Sequence, residues 1–422
     1  KNLPHSKVLH TIDEREQICD NCGSTMVKVG EEFVRTEVQF IPAKLKVIDH
    51  YRETYECRSC RKNGTPYMEK APVPYPPVLH SLASASTITW LIHQKFELSI
   101  PLYRQEKEWE ALGLRLSRAT MSNWLLVVYR DWLVHIVHRL KLELLKQRYL
   151  HIDETHVQVL KEPGRKNTSD SYMWVYCSIR DAVNPIRYFE YQPGRSGKYP
   201  EAFLREYEGY IHTDAYSGYN AVSGVKRCLC YTHLRRAFVD ALPKDIHNSE
   251  ASKPAEAILR LNQLFNIESE LEALPPDQKK KERLIREKPL LEAFWSWAEK
   301  SAIGELPKSK LSKAFHYALN NREGFWNYLE DGNCSISNSL AENCIRPFVI
   351  GRKNWLFSGS PKGAEASAGI YTLVETAKAN GLAPMKYIKY ILSDMPGSAF
   401  LEHPEYLDDY LPWNPLVKEF CR

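Results

Sequence analysis

Residues 149–153 read Tyr-Leu-His-Ile-Asp and residues 210–214 read Tyr-Ile-His-Thr-Asp, and this repeated pattern decides the fold of the chain. Each stretch is a β-prone run that ends on an aspartate and continues into polar or turn-forming residues. Neighbouring strands of this kind bring two carboxylates together at one edge of a sheet. Carboxylates and waters are the ligands that Mg²⁺ prefers. With a third acid, the pattern predicts a two-metal site suited to phosphodiester chemistry.

The residues around the two stretches predict alternating strands and helices. Runs rich in β-formers occur at 149–159, 172–180 and 185–191. A glycine-bearing loop, a helix near 200–207, the second aspartate strand and a further run at 226–231 follow. This is the order of elements in an RNase H-like α/β core. The first and fourth strands of such a core are neighbours, so Asp153 and Asp214 are expected to face one metal site.

Length and composition limit the alternatives. With 422 residues, 43% of them hydrophobic and 26% charged, the chain is expected to be a globular protein of several domains. The net charge of +5 permits a nucleic-acid partner without requiring one. No secretory signal is visible, and the longest apolar run, at 125–137, is broken by Arg130 and Asp131. A membrane protein is therefore not expected.

Two CxxC pairs lie in the first segment, which we predict to be a zinc-ribbon domain over residues 1–70. Tetrahedral coordination by four thiolates is a common structural zinc site, and so small a domain needs the metal to fold. Alternating, β-like stretches at 34–40 and 44–51 separate the pairs. The alternative interpretation is that the pairs are redox-active or incidental. The predicted zinc ligands are Cys19, Cys22, Cys57 and Cys60.

A proline-rich link at 72–77 leads to a helical segment at 78–145. A helix at 101–109, a turn at 112–114 and a second helix with Ser117 as its N-cap are typical of a helix-turn-helix that contacts DNA. An ordinary helical bundle is the alternative. The core is then expected at 146–246, a charged helical insertion at 247–330, the C-terminal part of the core with the third acid at 331–395, and a tail at 396–422.

The third acid is harder to identify, because spacing alone does not choose among five glutamates. Glu342 has a structural alternative, since Ser339 and Glu342 form a capping box in which the glutamate binds the amide of the N-cap. Its neighbours favour a functional role, because they offer cations for phosphates and an aromatic ring for an unstacked base. The candidate acids are Glu323, Glu330, Glu342, Glu365 and Glu375.

Four further residues are candidates for supporting roles. His151 and His212 alternate onto the same face as the aspartates, but packed or solvated histidines are the favoured interpretation. Cys230 and His233 follow the fifth predicted strand with CxxH spacing. A second zinc site there needs two more ligands, of which only Cys228 is near in sequence. We favour a structural pair that supports the core.

Long motifs resemble those of bacterial insertion sequence 66 family transposases. The similarity includes the CxxC pairs, residues 151–155 (HIDET), residues 212–219 (HTDAYSGY), residues 338–347 (NSLAENCIRP), residues 351–357 (GRKNWLF) and the tail at 411–414. Cys230 and His233 resemble a signature found after the second aspartate in several DDE transposase groups. Many family members carry arginine where this chain has Asn343. Members also begin with a leucine-zipper-like helix that is not seen here, so we expect a truncated N-terminus.

The resemblance implies a DDE transposase with Asp153, Asp214 and Glu342 as its metal-binding and catalytic triad. It implies two Mg²⁺ or Mn²⁺ ions, one structural Zn²⁺ ion and a cytoplasmic, nucleoid-associated location. The expected partners are DNA (terminal inverted repeats and target), further copies of the chain and accessory transposition proteins. A plain nuclease and a DNA-binding protein with an inactive core are the alternatives. The expected DNA contacts are Arg346, Arg352, Lys353, Asn354 and Trp355.

Overall fold

The computed structural model describes residues 7–36, 43–243 and 252–422. The chain divides into two compact units, Lys1–Ile48 and Asp49–Arg422. None of the helices in the described ranges has the length and apolar character needed to cross a membrane.

The first unit contains a tight turn that carries Cys19 and Cys22. An isolated bridge between Ile18 and Thr25 closes this turn. Gly23 has a φ of +70°, which glycine adopts without steric cost, and its amide donates to the carbonyl of Cys19 at 2.8 Å. The stretch at 44–51 forms no strand, so that prediction was wrong. The stretch at 34–40 lies partly outside the described residues, and its residues 34–36 form no strand.

The second unit opens with a small antiparallel hairpin around the other CxxC pair. Strand β1 (Thr54–Glu56) pairs with β2 (Met68–Lys70), and the short helix α1 (Arg58–Lys62) lies between them. Cys57 is the residue before α1, and Cys60 lies within it.

A six-stranded sheet is the centre of the second unit, with strand order β5-β4-β3-β6-β7 and β8 paired to the far end of β3. Strands β3, β4 and β5 are antiparallel to one another, whereas β6 and β7 run parallel to β3. The sheet strands are β3 Tyr149–Val159, β4 Asp170–Ser178, β5 Arg187–Gln192, β6 Gly209–Thr213, β7 Val225–Leu229 and β8 Phe357–Ser358.

Helices surround the sheet, and α2 and α4 each continue into a π-helical turn, at His93–Glu97 and Tyr129–Leu133. The described helices after α1 are α2 Ala85–Ile92, α3 Leu102–Ala111, α4 Arg118–Val128, α5 Val134–Leu145, α6 Lys198–Phe203, α7 Tyr231–Val239, α8 Lys253–Glu270, α9 Pro276–Ala302, α10 Lys310–Asn320, α11 Arg322–Trp326, α12 Ser339–Trp355, α13 Pro361–Ala379, α14 Pro384–Asp394 and α15 Pro415–Cys421.

Two hydrophobic cores lie in this unit. The larger core joins helices α2–α5, strands β3–β5 and the C-terminal helices, so the helical segment and the sheet share one apolar interior. The smaller core joins β7 and α7 to the helices of the insertion, α8–α11. Helix α13 covers the outer strand β5, whose amides at Arg187 and Phe189 donate to Thr376 and Thr372. These bonds occupy backbone donors that an edge strand would otherwise expose.

The local predictions for the helical segment and the first strand are confirmed. Ser117 is the N-cap of α4, where its side chain accepts from the Thr120 amide at 3.1 Å. Gly113 ends the preceding turn with a φ of +91°. Strand β3 has the predicted bounds.

Candidate functional site

The two repeated stretches pair side by side, in register. In the parallel pairing of β3 with β6, His151 is the partner of His212, two positions before the aspartates in each strand. The two imidazoles stack with ring centroids 4.2 Å apart. Both rings are buried and hydrogen-bonded, which confirms the interpretation as packed histidines. This register puts Asp153 and Asp214 at the same level of the sheet.

Backbone amides orient both aspartates. An oxygen of Asp153 accepts from the Glu154 amide at 2.9 Å, and an oxygen of Asp214 accepts from the Tyr216 amide at 3.0 Å. Burial, together with the nearby carboxylates of Glu154, Asp214 and Glu342, raises the pKa of Asp153 to about 7. The Asp153 carboxyl is therefore close enough to both other predicted acids to interact with them.

Helix α12 carries Glu342, and its N-terminus differs from the prediction. The helix begins at Ser339, with Asn338 as the N-cap and without a side-chain capping bond. The capping box with Ser339 as N-cap was therefore wrong, and Glu342 does not reach back to cap the helix. Its Oε1 atom is buried, has no hydrogen-bond partner among the described residues, and lies 3.7 Å from Nε2 of His233.

Asn338 connects α12 to the aspartate strand. The side chain is 1% exposed, with its amide donating to the carbonyl of Ile152 at 2.8 Å and its oxygen 2.9 Å from Nδ1 of His151. The Asn338 backbone amide donates to Sγ of Cys230 at 3.1 Å. A single buried residue thus joins the helix of Glu342 to β3 and to the start of α7.

The other candidate glutamates are engaged elsewhere. Glu375 forms an ion pair with Lys378 at 2.8 Å, within one helix. Glu330 accepts from the Tyr210 hydroxyl at 3.1 Å and pairs with Lys226. Glu365 lies near Tyr129 and raises the pKa of that phenol, and Glu323 lies in α11 of the insertion, whereas Glu342 is among the groups that raise the pKa of Asp153.

Sequence reasoning missed Arg195, which lies between two carboxylates. Its guanidinium contacts the buried Glu154 at 2.6 Å and lies 3.9 Å from Asp214. Glu154 also accepts from the Tyr219 hydroxyl at 2.6 Å. The arginine follows Gly194 in the loop before α6, and a cation within a glycine-bearing loop was the available signal.

Cys230 and His233 lie beside Glu342. Burial alone would raise the pKa of the Cys230 thiol, but His233 and the Asn338 amide lower it overall. The contact with Cys230 raises the pKa of His233 despite burial, and Glu342 and Asp214 add to that effect. The pair is thus electrostatically coupled to the acids, whereas Cys228 contacts Cys334 in a separate cluster with His212.

The residues predicted to contact DNA lie on α12, on the C-terminal side of Glu342. Arg346 and Lys353 are exposed, whereas Arg352 donates to the Thr155 hydroxyl at 3.0 Å. A groove of about 400 Å³ is lined in part by Arg352, Lys353, His156 and Leu356. The Asn354 side chain donates to the carbonyl of Ile350 within the helix.

Trp355 is packed rather than free. Its ring lies 6.1 Å from that of Tyr371 and 6.2 Å from that of Phe348, and the Lys95 ammonium lies 4.7 Å from its centroid. Only part of the ring remains accessible to a nucleobase.

The two CxxC pairs lie in different units of the chain. In the second unit, the Cys60 amide and thiol lower the pKa of Cys57, which opens a helix. In the first unit, Ser24 and Cys19 lower the pKa of Cys22. In return, the contact with Cys57 raises the pKa of Cys60. Each turn therefore favours one thiolate, the form that zinc requires.

Comparisons with known proteins agree with the motifs. Residues 80–366 match the model described as "Transposase IS66 family", and residues 16–61 match "zinc-finger binding domain of transposase IS66". Among relatives, the uncharacterized protein y4hP of Sinorhizobium fredii is 27% identical over 429 aligned positions, covering 95% of this chain and 75% of that protein. The uncharacterized protein y4jD of the same organism is 26% identical, covering 98% of this chain and 81% of that protein. Because the transposase model matches more than half of the residues, this chain belongs to the IS66 family of transposases.

Proposed function

We propose that this chain is a DDE transposase that cuts DNA at the ends of its element and joins the freed ends to target DNA. Asp153, Asp214 and Glu342 are the proposed catalytic acids. The observation that carries the proposal is their convergence. Asp153, within β3, and Asp214, directly after β6, lie at one level of two strands paired in register, and both Asp214 and Glu342 raise the pKa of Asp153.

The topology of the sheet supports an RNase H-like core. Three antiparallel strands are followed by two strands parallel to the first, with the first strand at the centre. The helical insertion between β7 and α12 interrupts this core and delivers Glu342 after it. A carboxylate from a helix thereby meets one carboxylate within β3 and one that directly follows β6.

The three acids fit divalent metal ions. Three carboxylates held close together repel one another, and the raised pKa of Asp153 measures that repulsion along with burial. A divalent cation would relieve it, and oxygen ligands suit Mg²⁺ or Mn²⁺. When bound, two such ions activate the attacking oxygen and neutralise the leaving 3′-oxygen of the scissile phosphate. Asp153, Asp214 and Glu342 would hold these ions.

The protein side of the mechanism is positioning. Tyr216 and Glu154 amides hold the aspartate oxygens, so the acids need little rearrangement. Arg346 and Lys353 project from α12, with Lys353 roughly 16 Å along the helix from Glu342. They would bind the phosphates of a strand that passes the acids. Hydrolysis frees a 3′-hydroxyl, which then attacks target DNA by the same in-line displacement.

The N-terminal cysteines would hold the structural zinc. The zinc-finger family match spans both CxxC pairs, and each turn favours a thiolate. We propose that Cys19, Cys22, Cys57 and Cys60 are the zinc ligands. DNA, further copies of the chain and accessory transposition proteins are the proposed partners, in the bacterial cytoplasm.

The test replaces each acid by its amide. Asp153→Asn, Asp214→Asn and Glu342→Gln should each reduce Mg²⁺-dependent cleavage of terminal-repeat DNA by about 10³-fold or more, because each removes a charged metal ligand. Binding of the same DNA, measured by gel shift, should persist. Glu375→Gln is the matched control, since Glu375 is a rejected candidate on a neighbouring helix. Unchanged cleavage by Asp214→Asn would contradict the triad.

A strand-transfer assay separates the alternatives. Joining of a precut 3′ end to a target plasmid is expected for a transposase. Cleavage without joining would indicate a nuclease, and DNA binding without cleavage would indicate an inactive core.

A further inference from the structure

The CxxH turn at Cys230 and His233 has a third potential metal ligand that is distant in sequence. The amides of His233 and Leu234 donate to the carbonyl of Cys230 at 3.2 and 3.3 Å, which fixes the turn at the start of α7. Ligand atoms of Cys230, His233 and Glu342 all lie within 4.8 Å of one another. The structure therefore supplies the ligand that the neighbouring sequence lacks.

We infer that Cys230, His233 and Glu342 bind a Zn²⁺ ion with a fourth position open to solvent. A thiolate, an imidazole and a carboxylate are all established zinc ligands, and three protein ligands with one open position is a known zinc arrangement. Mg²⁺ takes oxygen ligands and does not bind thiolates. The chemistry of this set thus differs from that of the three acids.

The distances fit one ion. Zinc bonds of about 2.0–2.2 Å to nitrogen and oxygen at a tetrahedral angle separate the two ligand atoms by roughly 3.4 Å. The observed separation of Nε2 of His233 and Oε1 of Glu342 is 3.7 Å. A side-chain adjustment of a few tenths of an ångström closes that difference.

Hydrogen bonding around the three residues also favours a bound ion. The Asn338 amide donates to Sγ of Cys230, an outer contact that stabilises a metal-bound thiolate. By contrast, Nδ1 of His233 and Oε1 of Glu342 are buried atoms without hydrogen-bond partners in the described part of the chain. Buried polar atoms are seldom left unpaired, and a cation on Oε1 would satisfy one of them.

Access is available from one side. The Cys230 residue is 1% exposed, whereas the side chains of His233 and Glu342 are 27% and 30% exposed. The ion can therefore enter past the imidazole and the carboxylate, and a water can occupy the fourth position.

A second buried cluster of His212, Cys228 and Cys334 lacks this fit. Both ring nitrogens of His212 are already used, one facing the Leu150 carbonyl at 3.1 Å and the other accepting from the Ser335 amide at 2.8 Å. All three residues of that cluster are buried, and Cys334→Ser therefore serves as the matched control.

The site has a regulatory consequence that rests on the proposed function. A Glu342 carboxylate that coordinates Zn²⁺ is less available to coordinate Mg²⁺, so Zn²⁺ and Mg²⁺ should compete for this residue. Micromolar Zn²⁺ should then inhibit cleavage, and added Mg²⁺ should oppose the inhibition.

Zinc stoichiometry tests the site without needing activity. The full chain is stripped with a chelator, reloaded with Zn²⁺ in excess Mg²⁺, desalted and analysed by mass spectrometry for bound zinc. The wild-type protein should retain one zinc ion more than Cys230→Ser or His233→Asn. Cys334→Ser should match the wild type. Glu342→Gln should weaken zinc binding by about tenfold or more, since even outer-shell changes cost that much.

The outcomes are distinguishable. Equal zinc content in the wild type, Cys230→Ser and His233→Asn would overturn the site. If Cys230→Ser fails to fold, as judged by circular dichroism, the zinc contents of His233→Asn and Glu342→Gln still test the site, because both residues are partly exposed. Binding of the extra zinc ion without cleavage would support the zinc site and contradict the proposed function. Cleavage without the extra zinc ion would support the proposed function and contradict the zinc site.

Discussion

The two aspartates and Glu342 reach the same site by different means. Asp153 and Asp214 are placed by backbone pairing, because β3 and β6 are joined in register and backbone amides orient both carboxylates. Glu342 arrives on a helix after the insertion and is placed by side chains. Its helix contacts the aspartate strand through Asn338, which is buried. Mutations near the aspartates should therefore be tolerated better than mutations near the glutamate.

The insertion contributes to the placement of Glu342 through Arg283. This residue is 0% exposed and pairs with Glu268 at 2.5 Å. Its guanidinium also donates to carbonyls in the segment that leads to α12, at Tyr328, Asp331 and Cys334. Arg283 therefore holds in place the chain segment that precedes the helix of Glu342.

Outside the three proposed acids, the largest effect on cleavage is expected for Asn338→Ala. The substitution removes the bonds to Ile152 and His151 and frees α12 to shift relative to β3. A misplacement of about 1 Å can cost about 10²-fold in rate, so we expect a loss of that size in kcat for cleavage, with DNA binding retained. Single-turnover cleavage and gel shifts at several Mg²⁺ concentrations measure both quantities.

Asn333→Ala is the control, because Asn333 bonds to Tyr149 and Asp331 in the preceding loop and does not touch α12. A positioning role also predicts that the Asn338 variant needs more Mg²⁺ for half-maximal cleavage. An equal loss of DNA binding and cleavage, with an unchanged Mg²⁺ requirement, would point to general destabilisation instead.

Arg195→Gln tests the aspartate side, where a smaller effect is expected. The variant loses the guanidinium that lies 2.6 Å from Glu154 and 3.9 Å from Asp214. The Tyr219 hydroxyl still bonds Glu154, and the Tyr216 amide and the strand pairing still place Asp214. Cleavage should therefore fall by about tenfold or less. Arg180→Gln, which removes an exposed cation paired with Glu272, controls for net charge. A hundredfold loss would mean that Arg195 places Asp214 as strongly as Asn338 places Glu342.

This contrast also explains what the sequence could predict. Strand β3 and the pairing of the aspartates follow from alternation and repetition, which are local signals that survive folding. The N-terminus of α12 does not, because Ser339 and Glu342 match a capping box while Asn338 takes the cap and uses its side chain across the core. The capping box is a local sequence motif, whereas the contact between Asn338 and Ile152 joins distant parts of the chain and is not visible in a single sequence.

The partners of single residues were equally hidden. Cys230 and Glu342 are separated by more than a hundred residues, so the third ligand beside the CxxH turn becomes visible only when α7 and α12 meet. Arg195 was similarly inconspicuous, because its role depends on Glu154 and Asp214 from two different strands. The two aspartates were predictable because they belong to a repeated strand pattern. Contacts between side chains that are far apart in sequence were not.

The smallest effect on cleavage, and a pH-dependent effect on stability, is expected for Glu287→Gln in the insertion. Glu287 is buried and accepts from the Tyr328 hydroxyl at 2.7 Å. Burial and the neighbouring carboxylate of Glu268 together raise its pKa to about 8. Between about pH 4 and pH 8 the folded chain therefore holds a proton that the unfolded chain releases, so this group makes the protein less stable as pH rises.

Glutamine has no such proton, so the free energy of unfolding of the variant should increase relative to wild type from pH 5 to pH 8. The slope is at most about 1.4 kcal/mol per pH unit, the value for one proton. Urea unfolding followed by tryptophan fluorescence at each pH measures it, with the exposed Glu292→Gln on the same helix as control. Parallel pH profiles for the variant and the wild type would show that Glu287 is ionised in the fold. Cleavage at pH 7 should stay unchanged, because a glutamine oxygen can still accept from the Tyr328 hydroxyl and Arg283 still holds the segment that leads to Glu342.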